Sequence, residues 1–485
     1  MSKDRESERS PRDIRSKPGS IGVLEHWPAF QDSIAHINGF IRPQVLCRYQ
    51  ADLLNQGAFV VVSPLSGRSV TIARSVLLGN RIAYEMPEQE RTWLLSGKLK
   101  YGHPISEIVT AADGRCRSVT EDDASEGVAA SEAVLQRLAR AVSQGVAPPR
   151  ESGTILLIGH GNFAHHLWNE LSALEEWLDR APDGALERVS LIATAEPLGP
   201  LERIFPRLSN VPICRSTQQS VQKDMAHAAL VVKIGSCRVS RRIRERIVRF
   251  SEEHADRRAT APTLSLLERS WPRLWVSVRL DTRTAENLAD FLLCVVTNVL
   301  THYPRSAIVL DGFSFPVSFF EDERNAASQG AFTELATKLA AFIAQFREKV
   351  RSTLGETFSS RICSINAGGL LEAIRIGGFC DYYLCHAGTL QHKIAWFHPM
   401  FGLIHLPIPD ASRAAWHAAQ VEGGIVPDLL PKELCVATGP GLRRGDRNFN
   451  YRITDVERAA AHVLVAMRSR LGSRRRFADH WQEPG

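Results

Sequence analysis

Long apolar runs are missing from this chain. The longest, FLLCVVTNVL at 291–300, falls well short of the ~20 residues a bilayer-spanning helix needs, so any membrane contact is expected to be peripheral. The nine cysteines are odd in number, and no two have the two-residue spacing of a zinc knuckle or redox pair. Reduced thiols in the cytoplasm are the simplest account. Charge of one sign is scarce: 59 Lys and Arg against 53 Asp and Glu leave a net +6. Because those charges are dispersed, the balance suits anionic small ligands and gives no expectation of nucleic-acid binding. The first 20 residues, MSKDRESERSPRDIRSKPGS, mix both signs with no apolar centre, and they read as a disordered tail, not a secretory signal.

What is present is an ordinary globular composition, 44% hydrophobic and 23% charged over 485 residues, enough for two domains. Short β-branched runs at 59–65 and 69–78 predict strands, and Val134, Leu135, Leu138 and Val142 predict a helix over 125–142, ahead of Pro148 and Pro149. From residue 154 strands alternate with helices: strands at 154–159, 189–194 and 211–216, then the amphipathic RRIRERIVRF with Ile243, Ile247 and Phe250 on one face. A second alternating set has strands at 274–280, 306–314, 361–367, 381–388 and 402–408. Between them lie a helix that Thr284 is placed to cap, with Leu288, Phe291, Leu292, Val295 and Val299 facing a core, and a long helix over roughly 331–351.

Such alternation predicts parallel sheets. The expectation is therefore an α/β chain with an N-terminal domain over 21–262, β-rich in its leading part, and a C-terminal Rossmann-like domain over 263–430. The remainder, 431–485, carries a helix at 453–471 whose stripe of Val456, Ala459, Ala460, Val463, Leu464 and Met467 is expected to cross back to the first domain. Arg468, Arg470 and Arg474–Arg476 then form a solvated tail, able also to touch an anionic membrane face.

The chemistry concentrates in ILLIGHGNFAHHLWNEL, 155–171. Gly159, Gly161 and Ala164 satisfy the G-x-G-x-x-A turn of dinucleotide-binding folds, which keeps an NAD-dependent oxidoreductase as one reading. The acid that should close the second strand about 20 residues on has only the distant Glu196 as a candidate. Metal binding is disfavoured because His165 and His166 are adjacent and H-E-x-x-H is absent. The remaining readings are histidines that merely pack at a helix start and a catalytic base. For the latter, His165 sits near a helix N-terminus at the carboxyl edge of a sheet, with Asn169 and Glu170 one turn on to orient it.

Asn162, Phe163, His165, Leu167, Asn169 and Glu170 resemble the Asn-aromatic-x-His-x-Leu-x-Asp/Asn-Glu signature of family-61-like glycosyltransferases, which include enzymes of capsule and lipopolysaccharide synthesis. His166 stands where that family more often has an aromatic ring. The resemblance implies a GT-B fold of two facing Rossmann-like domains, with a glycan or glycolipid acceptor mostly on the N-terminal side, a nucleotide-sugar donor mostly on the C-terminal side and no further cofactor, and with His165 or His166 as the base and no metal ligand. A non-catalytic glycan-biosynthesis partner is the further alternative.

In the second half the resemblance covers DYYLCHAGTLQHKIAW at 381–396, where His386, Gly388, Thr389, His392 and Lys393 are candidates for binding the donor diphosphate. Arg279 and Arg283 are the other cationic candidates, since guanidinium grips phosphate oxygens in pairs. Asp311 and Gly312 read either as a ligand for a sugar or ribose hydroxyl or as a simple turn. No two aspartates stand at i, i+2, so the Asp-x-Asp metal motif of GT-A enzymes has no candidate, and cations with helix ends are expected to take the diphosphate without a metal.

Overall fold

The computed structural model describes residues 26–87, 92–110, 115–119, 136, 153–217, 219–225, 230–407, 411–438 and 449–479. The expected tail at 1–20 and, apart from residue 136, the expected helix at 125–142 lie outside them. The TILLI run forms strand β1 (Thr154–Ile158), flanked by β2 (Val189–Ala193) and β3 (Ile213–Arg215) on one side and β4 (Leu230–Val232) on the other, all parallel. Strands covered on both faces are nearly all apolar, and β4 shows it as three buried residues, LVV.

The second half repeats the plan on a longer sheet. Strands β5 (Arg273–Ser277), β6 (Ala307–Asp311), β7 (Ile362–Ser364), β8 (Tyr382–His386), β9 (Phe401–His405) and β10 (Asp428–Leu429) pair in parallel in the order β7-β6-β5-β8-β9-β10. Counted within each half, the orders are 3-2-1-4 and 3-2-1-4-5-6, the doubly wound Rossmann order, in which the crevice opens beside the first strand where the winding reverses. Two such halves facing across a cleft make the expected GT-B arrangement.

The helices fill in around the sheets. Following β1, α1 spans 163–180 and changes pitch on the way: Phe163–His165 is α-helical, His166–Leu171 is a π-helix, and Ser172–Arg180 is α-helical again. Next come α2 (Arg241–His254) and α3 (Arg257–Glu268), each started by a side-chain cap, Ser240 and Asp256. The second half holds α4 (Leu288–His302), α5 (Ala326–Leu354), α6 (Leu370–Gly377), α7 (Thr389–Ala395), α8 (Ala411–Ala419) and α9 (Val456–Asp479). Thr284 does not cap α4: Asn287 precedes the helix, and the Thr284 hydroxyl donates to Arg279 O.

The leading part is a separate antiparallel layer. Five strands, Ser75–Leu78, Arg81–Met86, Thr92–Ser96, Ile105–Thr110 and Arg115–Ser118, pair in chain order. Ser75 Oγ donates to Val231 O (3.0 Å) and accepts from Val231 N (2.7 Å), fixing this layer to the edge of β4.

Packing corrects two expectations. The joint lies between α2 and α3, because Leu264, Leu266 and Leu267 of α3 share a core with Trp275, Val309 and Ile404 of the second sheet. The last helix does not cross back. Ala459, Ala460, Val463 and Met467 of α9 are buried with Phe291, Leu292 and Val295 of α4, in a core whose members all lie beyond residue 270. Its stripe meets an equally apolar stripe next door, so its burial does not require the first half. Coupling comes from elsewhere: Leu370, Leu371 and Ile374 of α6, together with Trp396, Phe397 and Val421, enter the core of the first half. Arg470 is not a solvated tail residue either, since its guanidinium pairs with Asp428 (2.6 Å) and lies over the Phe401 ring.

Candidate active site

The π turn decides the geometry of the histidine pair. It places His165 Nδ1 2.9 Å from Asn169 Oδ1, and His166 Nδ1 2.7 Å from Glu170 Oε2. The amide nitrogen of Asn169 donates to Ser236 O at 2.6 Å in the loop after β4. That bond fixes which way the amide faces, because a carbonyl oxygen cannot donate. Asn169 Oδ1 must then accept from His165 Nδ1, which leaves His165 Nε2 with its lone pair free as a base. His165 is half-buried, and its ring lies 4.7 Å from His160 and 5.9 Å from Trp168, centroid to centroid.

His166 is fully buried, and its Nε2 has no partner. Glu170 serves a different end from orienting His165: its Oε2 accepts from His166, from His160 N (2.8 Å) and from Gly159 N (3.1 Å). Burial works against its charge, yet the bonds from His166 and the His160 amide hold the carboxyl below its ordinary range. The anion position of the G-x-G-x-x-A turn is thus filled from inside the protein. Glu196 is equally committed: it pairs with Arg215 (2.8 Å) and Arg324 (2.8 Å) and accepts from Leu201 N (2.9 Å). These two occupied acids remove the anion and ribose contacts on which the NAD reading depended.

Across the cleft, Arg283 stands at the winding reversal of the second sheet. Its Nε is buried without a hydrogen-bond partner, and among the described residues no carboxylate lies within ion-pair distance of its guanidinium. Burial, then the neighbouring Arg279, lower its pKa from the usual arginine value. A side chain on Gly388 (φ 105°) would come within 3.0 Å of Arg283 Nη1, so glycine there lets the guanidinium lie against the backbone at the start of α7.

His165, Arg283, Gly388, Thr389 and His392 line one cavity of about 320 Å3 between the halves, walled by Trp168, Trp396, Trp416 and His417. Both ring nitrogens of His392, Nδ1 of His417 and Nε1 of Trp168 and of Trp396 are buried and unpartnered there. Such groups are costly to leave bare, and these atoms lie beneath the cavity surface. Burial drives the His392 pKa well below that of free imidazole and that of His417 to about 4, so both rings are neutral.

Arg279, Asp311 and Lys393 belong to the neighbouring chemistry in other ways. Arg279 lines a second interdomain cavity of about 300 Å3 and is partly engaged by Asp281 (2.7 Å) and Thr282 (3.1 Å). Lys393 is 2% exposed and gives its three protons to Asp311 Oδ1 (2.6 Å), Gly312 O (3.0 Å) and Ser314 Oγ (3.0 Å). It is a buried strut and not a free cation. Asp311 answers it as a fully buried carboxylate whose pKa burial raises to about 6. His386 is also withdrawn from the cleft: it ends β8 inside the sheet, 0% exposed, bonded to Tyr451 Oη (3.1 Å) and Arg283 O (3.3 Å). Central parallel strands are covered on both faces, and that burial carries His386 with it.

Sequence reasoning missed the three tryptophans and His417. Trp416 and His417 lie on α8, with Trp416 44% exposed and His417 buried, and no spacing ties that helix to residues 165–168.

Among the described residues no group of three or more His, Cys, Asp or Glu is gathered to hold a metal ion, and no helix is long and apolar enough to cross a membrane. Neither a family model nor a curated protein sequence matches the chain. Solved structures similar to it include ADP-heptose LPS heptosyltransferase II of E. coli (11% identity, TM-score 0.34, covering 65% of this chain and 98% of that one). Another is α,α-trehalose 6-phosphate synthase from Burkholderia multivorans (10%, TM-score 0.29, 71% and 69%). A third is UDP-GlcNAc 2-epimerase from Methanocaldococcus jannaschii (10%, TM-score 0.26, 70% and 83%). At those scores the fold description rests on strand order, and the chemistry on the side chains above.

Proposed function

We propose that this protein is a glycosyltransferase of GT-B type that moves a sugar from a nucleotide-sugar donor to a hydroxyl of a glycan or glycolipid acceptor. The observation that carries the reading is the pairing across one cavity of His165, held by Asn169 as the tautomer with a free Nε2, with the guanidinium of Arg283, whose Nε has no hydrogen-bond partner. His165 Nε2 takes the proton of the acceptor hydroxyl, whose oxygen attacks the anomeric carbon. The bond from that carbon to the diphosphate breaks, and the leaving oxygen keeps the electron pair. Arg283 and the backbone beside Gly388 receive the charge that accumulates on the diphosphate. Attack opposite the leaving group inverts the anomeric centre. His165 acts in preference to His166, whose ring is closed off from the cleft.

The signature running from Asn162 to Glu170 supports placing the enzyme among family-61-like transferases, with no metal ion required. Cysteines that are all free among the described residues fit a cytoplasmic setting. The test is a screen of nucleotide sugars for release of nucleoside diphosphate, with and without EDTA. Wild type is expected to turn over one donor in EDTA, while His165→Ala loses about 10²–10⁴-fold in kcat with donor affinity intact. Turnover by His165→Ala equal to wild type, or a strict need for manganese or magnesium, refutes the mechanism.

A further inference from the structure

A cavity of about 910 Å3 lies wholly within the first half. It opens where the winding of the first sheet reverses, between the carboxyl ends of β1 and β4, the position at which such sheets receive ligands. Ile158, Gly159 and His160 form its floor, Lys233 its wall, and the antiparallel leading layer its roof. The roof is held tightly, since a Cβ on Gly235 would fall 2.5 Å from the Gly102 carbonyl carbon. Glycine at 235 is what allows that approach.

Three observations say what the cavity takes. Lys233 points its ammonium into it with one partner, Asn80 O at 3.0 Å, and among the described residues no carboxylate lies within ion-pair distance. The nearby Arg81 is already spent on Ser96 O (2.6 Å), Glu107 (2.9 Å) and Ser106 Oγ (3.0 Å). The turn amides of Gly159 and His160, the other anion-binding groups at this sheet end, are held by Glu170. An anion entering here therefore meets the largely buried ammonium of Lys233, with the exposed Lys98 as a second cation on the lining. Burial lowers the Lys233 pKa, against the opposing pull of the Glu170 carboxylate.

The cavity also reaches the proposed chemistry. Gly161 lines both it and the 300 Å3 interdomain cavity, and that cavity shares Asn162 and Thr389 with the one that holds His165. His160 lines the large cavity while its ring packs against His165.

We propose that this cavity is the acceptor site and that the acceptor is a sugar bearing an anionic group, phosphate or carboxylate, held by Lys233, with its reacting hydroxyl delivered past Gly161 to His165. The role as acceptor site rests on the glycosyltransferase reading; the anionic-sugar site itself does not.

The experiment is calorimetric titration of the full chain with glucose 6-phosphate, glucuronate and glucose, and separately with nucleoside diphosphates. At least one of the two anionic sugars is expected to bind tenfold or more tightly than glucose, which also tells phosphate from carboxylate. Lys233→Ala and Lys233→Gln, the latter keeping a donor for Asn80 O, are each expected to lose at least tenfold for the anionic sugar and nothing for nucleoside diphosphate. Arg283→Ala is expected to do the reverse. Thermal midpoints of the variants report folding, and Lys233→Gln stands in if Lys233→Ala does not fold. Anionic sugars that bind no better than glucose, or a folded Lys233 variant with unchanged affinity, overturn the proposal. Anionic-sugar binding without any nucleoside-diphosphate binding leaves the site standing and sinks the glycosyltransferase reading instead.

Discussion

Replacing Glu170 with alanine is expected to damage stability far more than a helix carboxylate at the protein's margin normally would, since its side chain is only 13% exposed. One carboxylate oxygen accepts from Gly159 N, His160 N and His166 Nδ1. Gly159 and His166 are buried, while His160 is partly open to water, so two donors lose their only acceptor in a place water does not easily reach. At ~1–3 kcal/mol for each buried group left unsatisfied, the loss is about 2–6 kcal/mol. Glu170→Gln keeps one acceptor oxygen and is expected to lose about half as much.

Urea unfolding, with midpoint and slope compared, measures this. The pH dependence adds a sign. The Glu170 pKa is depressed in the folded protein below its ordinary 4.5, so the native state binds this proton less readily than the unfolded chain. The advantage of wild type over Glu170→Gln is therefore fully present above about pH 4.5 and fades as pH falls through the folded-state value. A loss below ~1 kcal/mol for Glu170→Ala, or an advantage that grows on acidification, refutes the idea that this carboxylate fills the anion seat of the turn.

Lys393→Met removes the cation paired with Asp311, both being essentially inaccessible to water. A buried pair broken on one side is expected to cost about 3–5 kcal/mol at neutral pH. Because burial raises the Asp311 pKa and Lys393 is what holds it down to about 6, the carboxyl of the variant titrates above that value, and urea titrations should show the variant recovering stability as pH falls toward 6. Arg324→Ala cuts the link by which the second half grips Glu196 and Ala193 O of the first. Loss of about 3–5 kcal/mol, together with faster proteolysis between the halves, is expected; a variant as stable and resistant as wild type refutes its role as an interdomain tie.

The alternation of apolar runs and helical stripes was enough to show two parallel-sheet halves, because a strand covered on both faces must be apolar throughout and a helix laid over it must carry a stripe. His165 and Asn169 were legible for the same local reason: residues four apart on a helix meet. Sequence could not show that Glu170, which meets His166 on the same rule, would also accept from the amides of the glycine turn, since that contact joins groups ten and eleven residues apart. It could not separate Arg283 from Lys393 either. Both are cations near strand ends, and only the chain's path puts Asp311 2.6 Å from Lys393 while leaving Arg283 without a carboxylate. The α9 stripe announced that it would be buried but not against what, because hydrophobic burial is non-directional; α4 offered the nearer apolar face. Trp168, Trp396, Trp416 and His417 converge from three helical segments far apart in the chain. Local sequence governs period and face, whereas a site is made of distances between segments, and those are set only when the two sheets close on their shared core.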